Sequence, residues 1–327
     1  MIIVRAPLRI PLGGGGTDLP FYYSQFGGEW ISAAIDKYVY VAINKGFSKG
    51  FKIRYSKTEE VEKPDQIQHP IFKEAIKLLN IPGGIEIVSV ADVPTNTGLG
   101  SSGSFTVALL MALHAFLRDT GHDDLPAKKD IAEQACHIAM NLLKEPSGKQ
   151  DEYIAAYGGV NNFFISQNGE VTVEPFYPQK ISTQTLEKLE SNLLMFYTGI
   201  QRASGPVLKA QTQAIENFHR VKEIGREIKG ALKRNDLRKF GELLDVHWQE
   251  KIKRGGTSDP QINSWYQIAK ENGALGGKLM GAGGGGFFLF YCDNQKEKLR
   301  KAMQEQGLKE QLFHFDTEGA KVIVDFK

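Results

Sequence analysis

Residues 97–103, Thr-Gly-Leu-Gly-Ser-Ser-Gly, constrain this chain more than any other stretch. Glycines at 98, 100 and 103 let backbone pass close to backbone or to a ligand. The run after them, Ser104 to Phe116 (SFTVALLMALHAF), is rich in good helix formers. A helix that starts at the serines aims its unpaired N–H groups back into the turn. Its macrodipole adds partial positive charge there. Such a turn is an anion site, usually for phosphate. Ser101 or Ser102 can also cap the helix. The two roles are compatible, because a hydroxyl at a helix start lies where a phosphate would lie.

Two more glycine loops flank this one: Leu12–Asp18 (LGGGGTD) and Met280–Gly286 (MGAGGGG). None reads GxxxxGK[ST], so the chain is not a P-loop NTPase by sequence. Two match GxGxxG by letter, at Gly98, Gly100 and Gly103 and at Gly281, Gly283 and Gly286. A dinucleotide fold places that fingerprint between a strand and a helix. The last loop runs instead into FFLFYC (287–292), a strand pattern. The middle loop is separated from the strand GIEIVSV (84–90) by a further DVPTNT, too long for the tight turn. The acidic residue expected about 20 positions on is not cleanly placed; Asp119 comes early and in a turn. A nicotinamide-dependent oxidoreductase therefore stands only as the alternative.

At 327 residues the chain is long for one core and predicts two domains. Strand patterns fall at 1–5, 30–46, 51–56 and 84–90, with PLGGGGTDLP (11–20) read as a loop. Helices are expected at 69–80, 102–118 and 127–143, and after KEPSGKQDEY. GGVNNFFISQ and EVTVEPF follow as strands. Near 178–190 the chain turns polar, and LLMFYTG (193–199) opens a new strand. Helices at 205–233, 236–253 and 260–272, the loop 273–286, the strand 287–292, a helix near 294–306 and the strand KVIVDF complete it. Strands and helices mix without strict alternation, which predicts α+β rather than a doubly wound sheet.

Charge and composition exclude several classes. A net charge of +2 gives no basic field to recruit nucleic acid. The longest apolar run, 105–117, is too short to span a bilayer and holds His114, so no membrane partner is expected. The start, MIIVRAPLR, has no signal-peptide core. Cys136 and Cys292 lie far apart and read as buried free thiols, which predicts a reducing, cytoplasmic setting. The seven histidines show no metal spacing.

The three loops in this order, with PSGKQD (146–151) between the second and third, resemble the GHMP kinases. That family is named for galactokinase, homoserine kinase, mevalonate kinase and phosphomevalonate kinase. Arg5–Pro20 resembles its N-terminal substrate motif, Pro94–Gly103 its ATP loop and Lys278–Gly286 its C-terminal glycine motif. RAPLRI-x2-GGGGTDLP, SGKQD, Tyr197-Thr198-Gly199 with Arg202, and the His–Trp–Lys stretch at 247–251 resemble the family's heptose 7-phosphate kinases. The resemblance implies a two-domain GHMP kinase fold, with an N-terminal α+β domain like ribosomal protein S5 over 1–182 and a ferredoxin-like α+β domain over 183–327. It implies an ATP- and Mg2+-dependent kinase that phosphorylates the anomeric hydroxyl of D-glycero-D-manno-heptose 7-phosphate to the 1,7-bisphosphate. A fucose- or galactose-type anomeric kinase is the rival within the family. A homodimer stays open.

The resemblance also assigns roles. Pro94, Gly98, Leu99, Gly100, Ser101, Ser102, Gly103 and Ser104 would cradle ATP, and Ser102 would face Mg2+. Asp151 would be the base or orienting group for the acceptor hydroxyl, where the bland alternative is a helix cap. Arg9 would pair with Asp151 and the moving phosphoryl, Arg5 being the surface arginine of the two. Gly14, Gly15, Gly16, Thr17 and Asp18 would meet the sugar, with glycines where galactokinases carry Glu and His. Lys278, Gly283 and Gly284 of the last loop would join them, and Arg202, Lys149, Lys251 and Lys278 are the candidate cations for a sugar phosphate. The family's usual acidic metal ligand, 10 to 12 residues before the aspartate, is replaced by Asn141, Met140 and Ala139, so Glu133, Asn141 or water would substitute.

Overall fold

A computed structural model describes residues 1–118, 124–202, 205, 207 and 214–326. Asp119, residues 203 and 204, and residues 206 and 208–213 of the helix expected from 205, lie outside the described residues. The first unit comprises β1 (Ile2–Gly13), α1 (Pro20–Phe26), β2 (Gly28–Lys45), β3 (Phe51–Arg54), β4 (Thr58–Val61), α2 (Pro70–Leu78), β5 (Ile85–Ala91), α3 (Ser101–Arg118), α4 (Lys128–Cys136), α5 (Gln150–Tyr157), β6 (Val160–Ile165) and β7 (Val171–Pro175). The second comprises α6 (Thr183–Asn192), β8 (Leu193–Tyr197), α7 (Ile215–Lys233), α8 (Leu237–Ile252), α9 (Pro260–Glu271), β9 (Gly276–Leu279), β10 (Phe287–Tyr291), α10 (Lys296–Glu305) and β11 (Lys309–Glu310). The last strand, β12 (Lys321–Asp325), returns to the first unit and pairs antiparallel with β1.

One sheet runs β12-β1-β2-β5-β3-β4, with β6 and β7 joined through β2; the other runs β11-β8-β10-β9. Strand β2 organises the first. Its early half pairs with β6 from Gly28 to Ala33, and its late half pairs with β5 from Val39 to Lys45. Along its other edge it pairs with β1 from end to end.

The expected loop from Pro11 is thereby corrected, since Pro11 pairs with Ser32 and Gly13 with Ile31. Strand β12 covers β1 only at Ile2–Arg5. Beyond it the Arg9 N–H leaves the sheet for the Leu99 carbonyl at 3.0 Å. Prolines at 7 and 11 therefore break no strand ladder.

Other elements were hidden in the sequence, among them α1, β4 and β11, and two show why. Strand β9 lies in the stretch expected to be loop, because its glycines face close neighbours rather than solvent. A Cβ at Gly276 would meet the Gly241 carbonyl oxygen at 2.1 Å, and one at Gly277 would meet the Phe290 ring at 2.3 Å. Helix α6 occupies the polar stretch after Tyr177, capped by Ser182, whose Oγ accepts from Thr185 N–H at 3.1 Å.

The core follows strand alternation. On the second sheet Leu193, Met195, Phe287, Leu289 and Tyr291 face the first unit, packing with Leu8, Ile10, Leu12 and Ile31 and with α7 and α8. Their alternates Leu194, Phe196, Phe288 and Phe290 face Trp248, Ile262 and Trp265. The face of the first sheet away from this seam packs on α2–α5 through Trp30, Val41, Ile43, Phe72, Val107 and Tyr153. Both units thus share a buried seam through β1, and the functional loops sit at its end.

Candidate active site

A cavity of about 200 Å3 takes its walls from all three glycine loops, the N-termini of α3 and α5, and the C-terminal end of α8. Arg9, placed by β1, and Asp151, in the first turn of α5, meet in it. Arg9 Nε donates to Asp151 Oδ1 at 2.8 Å and Nη2 lies 2.7 Å from the same oxygen. Arg9 Nη1 donates to the Gly98 carbonyl at 2.5 Å. One guanidinium thereby ties strand, middle glycine loop and helix start together. A Cβ on Gly100, whose φ is +77°, would stand 3.1 Å from the Asp151 carboxyl carbon and 3.2 Å from Arg9 Cγ. Glycine at 100 leaves room for this ion pair.

The middle and last loops touch backbone to backbone. A Cβ at Gly281 would lie 2.6 Å from the Gly98 Cα, and one at Gly98 would lie 2.8 Å from the Met280 carbonyl oxygen. Lys251, buried, fastens the last loop by donating to the Leu279 carbonyl at 2.7 Å and the Gly281 carbonyl at 2.6 Å. Burial, with Lys278, Arg254 and Arg9 nearby, holds its ammonium well below the ordinary lysine value.

The first loop is fixed from inside. Thr17 Oγ1 donates to the carbonyls of Gly14 at 2.9 Å and Glu29 at 3.0 Å and is buried. Asp18 accepts from Gly16 N–H at 3.1 Å and from Gln150 N–H at 2.9 Å. Burial raises its carboxyl above the usual range, the two backbone donors oppose this, and Asp151 adds to the rise.

Among the residues singled out in the sequence, Arg9, Gly15, Gly16, Asp18, Gly98, Gly100, Ser101, Ser102, Asp151, Arg202, Lys251, Lys278 and Gly283 line the cavity. Pro94, Leu99, Gly103, Ser104, Gly14, Thr17 and Gly284 are outside its described lining and shape the loops from behind. Ser104 Oγ donates to the Pro7 carbonyl at 2.7 Å, buried. Arg202 is exposed and sits at the last loop, with Nη1 donating to the Gly256 carbonyl at 3.3 Å. Lys149 is turned elsewhere, onto Glu133 at 2.7 Å and the Gly169 carbonyl at 2.9 Å. That contact also occupies Glu133. Arg5 bonds Glu318 and lies 4.4 Å over the Tyr38 ring, so it is engaged outside the cavity.

Three titratable lining residues were given no role from sequence: Glu152, His247 and Arg254. Glu152 is buried, and its Oε2 has no hydrogen-bond partner among the described residues. Burial, then the adjacent Asp151, push its carboxyl well above the usual range. His247, Lys251 and Arg254 recur at i, i+4 and i+7, one face of a helix. That spacing was the available signal, masked by the many other lysines and arginines on the late helices.

Two family models match this chain: the N-terminal domain of GHMP kinases at residues 70–159 and the GHMP kinases C terminal at 228–309. A D-glycero-alpha-D-manno-heptose 7-phosphate kinase of Campylobacter jejuni is 29% identical over 342 residues, covering 98% of this chain and 98% of the relative. The crystal structure of a D-glycero-D-manno-heptose 1-phosphate kinase from Bacteroides thetaiotaomicron superposes with a TM-score of 0.82 at 26% identity, covering 100% of both chains. That of Lactococcus lactis galactokinase with galactose has a TM-score of 0.73 at 17% identity over 98% of this chain and 94% of that one, a likeness of fold. The α+β, two-unit expectation holds, and the nicotinamide alternative is overturned by the two family models. Among the described residues no helix is long and apolar enough to cross a membrane.

Proposed function

We propose, from the premise that this chain belongs to the GHMP kinases, that it transfers a phosphoryl group from ATP to the anomeric hydroxyl of D-glycero-D-manno-heptose 7-phosphate, giving the 1,7-bisphosphate. It is a phosphotransferase acting on a hydroxyl. The observation that carries the reading is the Arg9–Asp151 pair, which stands where a glycine loop suited to phosphates meets a loop suited to a sugar.

Phosphoryl transfer asks mainly for positioning and charge stabilisation. The Gly98–Ser102 backbone at the start of α3 presents N–H groups and the helix's positive end to the ATP phosphates. Arg9 balances charge on the moving phosphoryl while its Nε holds Asp151 in place. Asp151 takes or orients the acceptor proton. Asp18, fixed by its two backbone donors, bonds a sugar hydroxyl. In this reading residues 1–182 are the ATP-binding domain, which also carries the Gly14–Asp18 sugar loop, and residues 183–327 are the second domain, whose last strand crosses back to pair with β1; the enzyme is cytoplasmic.

Magnesium fits the donor set. Among the described residues there is no group of three or more His, Cys, Asp or Glu side chains to hold a metal. Mg2+ normally takes one or two carboxylates, keeping the rest of its shell for water and substrate phosphates. The Ser102 hydroxyl and the Glu152 carboxylate, whose Oε2 has no partner among the described residues, would hold it; both residues line the cavity. When bound, it would neutralise charge on the ATP phosphates.

A phosphorylation assay with ATP across heptose 7-phosphate, unphosphorylated heptose, fucose and galactose tests the reading. Heptose 7-phosphate is expected to show the highest kcat/KM, with 31P NMR placing the new phosphate at the anomeric oxygen. Preference for an unphosphorylated sugar would overturn it.

A further inference from the structure

Three cationic or basic side chains in the cavity have donor atoms that, among the described residues, nothing uses. Arg254 Nη2 is out of reach of solvent and has no partner. Both ring nitrogens of His247 are in the same condition. Lys278 is buried, and its ammonium makes one hydrogen bond, to the Leu12 carbonyl at 3.3 Å. Buried polar groups are almost always satisfied, so several orphans facing one space point to a missing ligand.

The guanidinium is also held in place. Arg254 Nε donates to Asn217 Oδ1, and its carbon lies 4.0 Å over the Phe218 ring. Asn217 is fixed in turn by the Glu250 carbonyl at 2.7 Å. This leaves Nη2 free on an otherwise immobilised fork. Arg254 also adjoins the first glycine loop: a Cβ at Gly16 would lie 3.4 Å from Arg254 Nη1. Lys278 reaches the same loop through Leu12. The cluster therefore borders the first glycine loop, the one read as meeting the sugar.

We propose that His247, Arg254 and Lys278 form a subsite for a dianionic phosphate monoester, carried by the acceptor sugar at the end remote from its reacting hydroxyl. The inference rests on reading this cavity as a sugar kinase's acceptor site. A planar guanidinium and an ammonium, both desolvated, match a phosphate's three oxygens, and the imidazole supplies one more donor. Arg202, exposed, lines the same cavity from beside Gly284 and Gly256. Binding energy from such a remote group helps hold the reacting hydroxyl in place.

Isothermal titration of the full-length protein with heptose 7-phosphate, unphosphorylated heptose and ATP, on wild type, Arg254→Gln and Lys278→Met, tests this. Each variant is expected to weaken heptose 7-phosphate by about 10- to 150-fold, the range for losing one charged hydrogen-bond partner. Unphosphorylated heptose and ATP should stay within about twofold of wild type. Arg254→Lys, which keeps charge but not the fork, should fall in between. Circular dichroism and melting temperature confirm that each variant is folded. A folded variant that binds heptose 7-phosphate as wild type does overturns the subsite, as does equal loss on both sugars.

The two readings fail differently. If wild type ignores both heptoses, the same variants are titrated with glucose 6-phosphate, fructose 6-phosphate and inorganic phosphate. Binding that needs the phosphate and is lost in Arg254→Gln keeps the subsite and discards the heptose assignment. No phosphorylated ligand binding better than its parent sugar overturns the subsite itself.

Discussion

Arg9 and Asp151 are 142 residues apart and share one carboxylate oxygen through two guanidinium nitrogens, at 2.7 and 2.8 Å. The pair is made by packing: β1 carries the arginine, the start of α5 carries the aspartate, and Gly100 leaves the gap between them. The arginine is almost entirely buried and the aspartate about a third exposed, so the carboxylate's open side faces the cavity.

Asp151→Asn keeps the size of the side chain and removes its charge. We expect kcat to fall by about 10^2- to 10^4-fold, the span of general acid–base contributions, while the Kd for ATP measured by calorimetry changes little. Near-wild-type turnover would remove Asp151 from the chemical step.

Gly100→Ala adds one methyl where φ is +77° and where Asp151 and Arg9 already stand at 3.1 and 3.2 Å. A left-handed backbone costs a non-glycine residue about 1–2 kcal/mol. The methyl also pushes on the ion pair, so turnover should fall more than ATP affinity. Single-turnover kinetics separates the two. Loss confined to ATP binding would place the methyl against the nucleotide instead.

The general plan was legible in the sequence because glycine spacing, helix starts and alternating strands are local signals. The three glycine loops read from the sequence come together around one cavity, the candidate site, and Asp151 and Arg9 both line it. What stayed hidden was set by long-range packing. Strand β9 carries glycines because Phe290 and Gly241 press on it, a reason that lies outside its own segment. Arg254, just past α8, looks like an ordinary polar residue until Asn217 and Phe218 of α7 close on it, and His247 until the fold buries it.

Lys278 gives the free site a pH dependence. Burial, then the positive charges of Arg9 and Arg254, lower its ammonium to about 7. His247 and Lys251 from α8 surround it on the same wall, and Asp18, Asp151 and Glu152 line the cavity elsewhere. A bound dianion favours the charged lysine, so affinity for a phosphorylated sugar should fall as pH rises above about 7. A monoester keeps its second charge only above about pH 6. Binding should therefore peak between these values, and Lys278→Met should flatten the upper limb. Calorimetry in buffers of different ionisation enthalpy should show proton uptake on binding. An affinity that keeps rising into the alkaline range would contradict a role for the lysine charge.

Arg202 lines the cavity and is exposed. Its backbone N–H donates to the Asn96 carbonyl at 3.2 Å, which places its side chain over Gly284. Arg202→Ala should raise KM for heptose 7-phosphate more than for ATP, and should leave residual activity on unphosphorylated heptose almost untouched. Equal loss on both sugars would make it a structural or catalytic residue.

Glu152 offers the last test, because stability and metal use should move in opposite directions. Its carboxyl is buried with Oε2 unpartnered, and burial then Asp151 raise its pKa. In the folded free protein it therefore keeps its proton at pH values where the unfolded chain has lost it. The native state binds more protons there, so wild-type stability falls as pH rises from the ordinary glutamate range towards the raised value. Glu152→Gln cannot ionise and should not share that fall. Urea titrations at about pH 5 and about pH 8 should show the variant gaining on wild type at the higher pH, by on the order of 1–3 kcal/mol. The same change removes a candidate Mg2+ ligand, so the Mg2+ concentration for half-maximal activity should rise at the higher pH. A variant with unchanged metal dependence would take Glu152 out of the metal shell, and a parallel stability profile would show that its carboxyl is charged in the free protein.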